Sequence, residues 1–376
     1  MDRAAFSFVK TDLEDKIVLL TGPRQCGKTT LSRMLFADAV YFNHDEASHR
    51  LELLQKSWPR DAPLVIFDEL HKMRNWKRWL KGIYDTEGVR PRLLVTGSAR
   101  LDTHRKVGDS LAGRFFQHRL HPLDMKEVAA NAPIKLDDAF ERLLRLGGFP
   151  EPFLKNSESF ANRWRKSHLD IILRQDLPDL EGVRDIQAIE TLVELLKGRV
   201  GSTISYSNLA EDLQRDAKTI KRWLAILENM YVVFKITPYH GNVARSLLKE
   251  PKYYFYDTGH VQGDDGARLE NLVACALLKE AHRQEDTAGE TIKLHYLRTK
   301  DGREVDFLWV KNRVAHTMLE TKWADDHPHP HFAHFKKFFP AAAMLQVVRT
   351  LKRRKDYPSG PRIVSAEHWL ATLDDL

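Results

Sequence analysis

The sequence is poor in cysteine and has no long hydrophobic run, and each shortage excludes a class of protein. Only Cys26 and Cys275 occur in 376 residues. Two thiols, one of them inside a glycine-flanked loop, do not make a disulfide framework, so a reducing cytoplasmic setting is expected. No stretch of about eighteen apolar residues is present, which excludes a helical membrane span. The first residues, Met1-Asp-Arg-Ala-Ala-Phe6, lack the charged-then-apolar plan of a secretory signal. What remains is ordinary globular material, 43% hydrophobic and 30% charged. The length exceeds one hydrophobic core, so roughly two to four domains are expected. A net charge of +7 suits an anionic polymer as partner without requiring one.

Against that background one run stands out: Leu19-Leu-Thr-Gly22-Pro-Arg-Gln-Cys-Gly27-Lys28-Thr29-Thr30. It has the G-x-x-x-x-G-K-[ST] form of a phosphate-binding loop, fed by the apolar run 17–20 and followed by a helix-compatible stretch, 30–36. Backbone amides between Gly22 and Gly27 would face the phosphates of ATP, with Thr30 in the first turn of the helix whose N-terminus adds positive potential. Lys28 would reach the β- and γ-phosphates, and the Thr29 hydroxyl would complete the shell of a Mg²⁺ ion. Leu64-Val-Ile-Phe-Asp68-Glu69 reads as a buried parallel strand ending in two carboxylates. Asp68 would hold Mg²⁺ through water, and Glu69 would orient and deprotonate the attacking water. A plain core strand with an acidic exit is the alternative. A third such strand, 93–98, ends in small polar residues, of which Thr96 or Ser98 would sense the γ-phosphate or the lytic water.

Up to about residue 125, strands alternate with helices, the pattern of a parallel sheet covered on both faces. Within 70–84 the positions Trp76, Trp79, Leu80, Ile83 and Tyr84 follow helical spacing, with Lys72, Lys77, Arg78 and Lys81 off the stripe; a solvated basic face is preferred over a DNA-facing one. Arg114 is a candidate for the arginine that stabilises transition-state charge, from within or from a neighbouring subunit, and a structural ion pair is the equal alternative. An arginine given by a neighbour would make the protein a homo-oligomer, a ring or a dimer. Residues 122–181, punctuated by Gly147-Gly-Phe-Pro150, read as a small helical lid.

From Asp185 a different pattern begins. Helices are expected at 186–197, at 206–213 capped by Ser205 or Ser207, and at 217–228 capped by Asp216. Strand-like runs 231–236 and 253–256 come after them. Three helices and a two-stranded wing describe a winged helix-turn-helix, whose third helix would place Lys218, Lys221 and Arg222 on DNA phosphates or base edges. Winged helices also bind proteins, and that alternative stays open. In the last segment Glu270 sits beside the apolar face of a helix, and a meander follows with strands at 292–298, 304–310 and 314–323. Glu320 and Lys322 share a face, and Asp306 on the neighbouring strand can join them. This is the plan of a metal-dependent phosphodiesterase: Asp306 and Glu320 on Mg²⁺, Glu270 orienting a ligand water, Lys322 stabilising the developing charge. Paired surface charges are the alternative. The stretch His327-Pro-His-Pro-His331 reads as a mobile loop rather than a metal site, and the basic run 349–355 as a phosphate contact or a solvated face.

Taken together, the chain resembles a group of bacterial and archaeal AAA+-type ATPases that carry a C-terminal domain of unknown function. The resemblance rests on Thr21-Gly-Pro-Arg-Gln-Cys-Gly-Lys-Thr-Thr30, Ile66-Phe-Asp-Glu-Leu70, Thr96-Gly-Ser98, Leu111-Ala-Gly-Arg-Phe115, Gly147-Gly-Phe-Pro150, Tyr256-Asp-Thr-Gly259, Glu304-Val-Asp-Phe307 and Glu320-Thr-Lys322. It implies an α/β chain with a P-loop AAA+-type parallel sheet core (1–125), a helical lid (126–183), a winged helix-turn-helix (184–262) and a domain similar to PD-(D/E)XK, restriction-endonuclease-like nucleases (263–376). By that similarity Glu270, Asp306, Glu320 and Lys322 are the positions carried over. The function expected is an ATP-hydrolysing, DNA-binding protein that remodels or, with Mg²⁺, cleaves duplex or branched DNA. The rival is a nucleotide-gated switch on an operator or protein partner, with a nuclease-like domain that does not cut.

Overall fold

Five short runs rich in Val, Ile, Leu and Phe become the strands of the first sheet: β1 (Ile17–Thr21), β2 (Val40–Asn43), β3 (Leu64–Asp68), β4 (Arg92–Thr96) and β5 (Phe115–Arg119). The computed structural model describes residues 3–97, 111–131, 133–177, 185–240, 250–374 and 376. Strand order is β2-β3-β4-β1-β5, and every pairing is parallel. β1 and β3 are buried along their whole length, as strands covered on both faces must be. One side of the core is aromatic: Phe67 packs edge-on against Trp58 and Trp79, and Phe42 stacks on Phe67. Helix Trp76–Glu87 buries Trp76, Leu80 and Ile83 against this core.

The chain divides into two compact units, one of Met1–Pro122 with Asn229–Tyr231 and Asp286–Gly289, the other of Leu123–Glu228, Val232–Glu285 and Glu290–Leu376. The second unit opens with helices Met125–Asn131, Leu136–Leu146, Pro150–Lys155 and Glu158–Ile171. A buried ion pair fastens them to the turn at Asp257. Arg165 Nε donates to Asp257 Oδ2 at 3.0 Å, while its Nη2 donates to Leu146 O at 3.1 Å. A Cβ at Gly147 would stand 1.6 Å from Asp257 Oδ1, and one at Gly259 would stand 2.1 Å from Arg165 Nη2. Burial raises the Asp257 carboxyl, and Arg165 opposes that rise.

Helices Ile186–Lys197, Tyr206–Asp212 and Ala217–Asn229 come next. The expected caps are present: Asn208 N–H donates to Ser205 Oγ at 3.4 Å and Thr219 N–H to Asp216 Oδ1 at 2.8 Å. Strands β6 (Val233–Pro238) and β7 (Lys252–Phe255) then pair antiparallel. The C-terminal part adds helix Asp265–Ala288 and strands β8 (Ile292–Arg298), β9 (Glu304–Lys311), β10 (Val314–Lys322), β11 (Ala343–Val348), β12 (Lys355–Asp356) and β13 (Arg362–Ser365). The pair β6–β7 is not a separate wing. β6 pairs in parallel with β8 through Thr237↔His295 and Pro238↔Tyr296, giving one eight-stranded sheet ordered β12-β13-β11-β10-β9-β8-β6-β7.

One surface expectation is corrected, and in a second the solvated alternative holds for Lys352, Arg353 and Arg354, which are exposed. The His-Pro loop is tied down rather than free: His329 N–H donates to Gln346 Oε1, and Gln346 Nε2 donates to the carbonyls of Asp325 and His327, each at 2.9 Å. In the basic run 349–355, Arg349 is engaged by Asp137, Glu141 and Glu367, and Lys355 by Asp326.

Candidate nucleotide site and acidic centre

The phosphate loop lies at the C-terminal edge of the first sheet, where α/β sheets place their ligands. Its shape depends on glycine. Gly22 has φ +141°, and a Cβ there would stand 2.1 Å from Leu120 O; Gly27 has φ +99° at the start of helix Lys28–Met34. Lys28 is buried and curled onto the loop, with Nζ donating to Gly22 O at 3.0 Å and Pro23 O at 2.6 Å. Thr30 is on the exposed side of the first helical turn. Three strands deliver polar side chains to the same edge, because Asn43, Asp68 and Thr96 are in register. Asp68 is the hub. Its Oδ2 accepts from Thr29 Oγ1 at 2.9 Å and from Tyr41 OH at 2.6 Å, and its Oδ1 accepts from Thr96 Oγ1. The Thr29 hydroxyl and Asp68 carboxylate are hard oxygen donors on a helix start and a strand end, and they fit Mg²⁺ with its waters.

Glu69 follows with a left-handed backbone, φ +56°, and its N–H donates to Thr96 O at 3.1 Å. Its carboxylate Oε2 lies 3.6 Å from His71 Nε2 and 3.5 Å from Lys72 Nζ. Burial pushes its pKa up; Lys72 opposes this and Asp68 adds to it. Arg114 is elsewhere. Ile17 N–H donates to Arg114 O at 3.1 Å, at the beginning of β1, whereas the loop leaves its end. The length of β1 separates the two, roughly 13 Å. Arg114 Nε instead donates to Asp85 Oδ1 at 2.6 Å, and Lys81 holds the same carboxylate. Within its own chain Arg114 is therefore a structural ion pair out of reach of the loop. Ser98 lies outside the described residues, and Thr96, the other candidate, donates its hydroxyl to Asp68.

In the second unit the four expected residues converge. β9 and β10 run antiparallel with Leu319 opposite Phe307, which puts Glu304, Asp306, Glu320 and Lys322 on one face. Lys322 Nζ is 2.6 Å from Glu320 Oε1, and Glu320 Oε2 accepts from Asp306 N–H at 3.1 Å. Asp306 Oδ2 accepts from Thr321 N–H and Oγ1 at 2.9 and 2.7 Å. Helix Asp265–Ala288 brings Glu270, whose Oε1 accepts from Tyr254 OH at 2.7 Å.

Sequence reasoning missed the centre of this cluster. Lys252, only 1% exposed, points its ammonium into the carboxylates, 2.6 Å from Glu304 Oε1, 3.2 Å from Glu270 Oε1 and 3.9 Å from Asp306 Oδ1. His329 Nε2 stands 3.5 Å from Glu320 Oε1; burial, and then Lys322, lower its pKa to about 4. Glu304 was findable, two residues before Asp306 on one strand. Lys252 offered only its place at the head of a buried aromatic run. Among the described residues no group of three or more His, Cys, Asp or Glu side chains is arranged to hold a metal ion. The carboxylates expected to hold Mg²⁺, Glu270, Asp306 and Glu320, stand instead against the ammonium groups of Lys252 and Lys322.

Burial raises Glu270 to about 7 and Glu320 to about 8, with Asp306 adding to both and the lysines opposing. The folded protein holds protons there that the unfolded chain releases near 4.5. Stability should therefore fall as pH rises from about 5 to about 8, by up to about 1.4 kcal/mol per pH unit for each retained proton. Glu320→Gln should flatten that fall. Urea midpoints at pH 6 and 8 measure it, and an equal slope in both proteins contradicts it.

Residues 14–129 match an AAA domain, residues 137–262 a domain of unknown function (DUF8612), and residues 265–369 a domain of unknown function (DUF4143). An uncharacterized protein from Mycobacterium tuberculosis is 30% identical over 302 residues, covering 77% of this chain and 66% of its own length. The match thus spans just under two thirds of that relative. An uncharacterized protein from Haemophilus influenzae is 23% identical over 334 residues, covering 78% of this chain and 79% of its own. Among solved structures, a STAND ATPase with a tetratricopeptide repeat sensor from Pyrococcus horikoshii aligns at 13% identity, covering 74% of this chain and 45% of its own, with a TM-score of 0.29. The DNA clamp loader delta protein of Bacillus subtilis aligns at 11%, covering 60% and 87%, with a TM-score of 0.28. Likenesses this slight carry no argument. Glycine loop, Asp68 hub, parallel sheet and matched segment together make residues 14–129 a P-loop domain of the AAA ATPase type.

Proposed function

We propose that this protein hydrolyses ATP with Mg²⁺ at the Lys28–Asp68 edge and uses the cycle to remodel duplex or branched DNA. The convergence of Thr29, Asp68 and Thr96 carries the first half of this reading. Bound nucleotide would give Lys28 phosphate oxygens in place of the Gly22 and Pro23 carbonyls. Bound Mg²⁺ would neutralise phosphate charge between Thr29 and Asp68. Glu69, whose carboxyl burial pushes up and Lys72 pulls down, would in its ionised form take the proton of the attacking water. DNA contact rests on helix Ala217–Asn229, the third of three consecutive helices: Ile220, Trp223, Leu224 and Leu227 are buried, whereas Lys218, Lys221 and Arg222 are exposed. Replacing those three by Ala should weaken duplex binding and reduce the slope of log K against log salt by about 0.9 per lost phosphate contact. Fluorescence anisotropy across a salt series reads this; unchanged affinity and slope would remove DNA from that helix.

The second reading, a nucleotide-gated switch with a nuclease-like domain that does not cut, is favoured by one observation, the ammonium of Lys252 among the carboxylates. The two readings separate on forked, four-way and linear DNAs incubated with ATP and Mg²⁺. Cutting that is lost on Asp306→Ala supports cleavage, and ATP-dependent binding without cutting supports the switch.

A further inference from the structure

The pattern Asp306, Glu320-Thr-Lys322 with Glu270 has the residue types of a metal-dependent phosphodiesterase, yet each of its carboxylates already accepts from a donor within the protein. Glu304 Oε1 takes Lys252 Nζ and its Oε2 takes Arg298 Nη1 at 2.9 Å. Glu270 Oε1 takes Tyr254 and Lys252, and its Oε2 lies against Gly201, where a Cβ would stand 2.5 Å away. Asp306 Oδ2 takes two donors from Thr321, and Oδ1 faces Lys252. Glu320 takes Lys322 on one oxygen and the Asp306 N–H on the other. Four carboxylates thus face three side-chain cations, and the one in the middle is fixed to the backbone. A divalent ion drawn to about 2.1 Å from such oxygens would have to expel an ammonium that cannot leave the chain. Lys252 is anchored on β7 and bridges to Thr203, so its stem has little freedom to withdraw.

We propose that Lys252 is the resident cation of this centre, that it takes the place a divalent metal would hold, and that the C-terminal domain is consequently a metal-free scaffold rather than a nuclease. The inference goes beyond the proposed ATP and DNA reading and does not depend on it: the ATPase site keeps its own Mg²⁺ donors in the first unit. Its chemical corollary is an unmasking. Without the ammonium, four carboxylates remain around an uncompensated space, and such a space recruits a hard cation.

The test uses Mn²⁺ as the probe, titrated by its free-ion electron paramagnetic resonance signal into the nucleotide-free full chain. Wild type should hold no Mn²⁺ that Asp306→Asn removes. Lys252→Met should gain one Mn²⁺ per chain, and adding Asp306→Asn to it should abolish that gain. If Lys252→Met folds poorly without metal, Mn²⁺ should raise its Tm by several degrees and leave wild type unmoved. Mn²⁺ held by wild type and lost on Asp306→Asn overturns the proposal. So does a Lys252→Met chain that neither binds Mn²⁺ nor is stabilised by it. Failure of the ATPase or DNA-binding experiments would leave these outcomes untouched, so the two readings fail separately.

Discussion

Lys28→Ala should lower ATP turnover by about 100- to 1,000-fold, the loss seen when a preorganised donor to developing charge is removed. The structure gives a reason to expect the whole effect. Lys28 is buried, and its Nζ donates to the carbonyls of Gly22 and Pro23 within the loop itself. Alanine therefore deletes the cation without opening a route for another: Lys72, the lysine placed beside Glu69, is committed to Asp45 at 2.6 Å. A steady-state phosphate-release assay with purified protein measures the loss. Turnover at the wild-type rate would falsify the nucleotide site.

Arg165→Met should cost about 3–5 kcal/mol of stability in the second unit, the loss expected when one member of a buried ion pair is removed. Arg165 and Asp257 are both nearly inaccessible, and burial already disfavours the Asp257 charge. Taking away the guanidinium also frees the carbonyl of Leu146 and the side chain of Asn162. A companion variant, Arg165→Met with Asp257→Asn, should recover part of the loss because no uncompensated charge remains. Urea unfolding of the three proteins reads the difference. A single variant as stable as wild type would mean that the pair contributes nothing.

These two sites differ in how far the sequence disclosed them. The phosphate loop was legible because its chemistry is local: Gly22 to Thr30 are consecutive, and the φ values that demand glycine lie within the motif. Asp68 and Thr96 were legible for a related reason, as polar ends of apolar runs. Gly147-Gly-Phe-Pro150 and Tyr256-Asp-Thr-Gly259 were visible only as resemblance. Their physical cause is the Arg165–Asp257 pair, which both glycines must approach more closely than a Cβ allows, and nothing in either run names the arginine between them. Arg114 stayed open between a catalytic arginine and an ion pair because its partner Asp85 lies 29 positions away, and the strand end beside which it sits is a matter of register. Lys252 was hidden for the opposite reason. A lysine heading a strand reads as a solvent-facing residue, and only the pairing of β6 with β8 turns it inward.

The run of hydrogen bonds from β7 through β6 to β8 also limits how motion is transmitted. Helix Ala217–Asn229 leads directly into β6, and β8 is the neighbour of the strand that bears Glu304 and Asp306. The strands from β7 to the one bearing Glu304 thus make a common plank, with Lys252 as the peg that ties its end strand to Glu304 and Glu270. Sawing that plank after residue 262 would leave raw strand edges on both halves, so excised pieces should clump rather than behave as free modules.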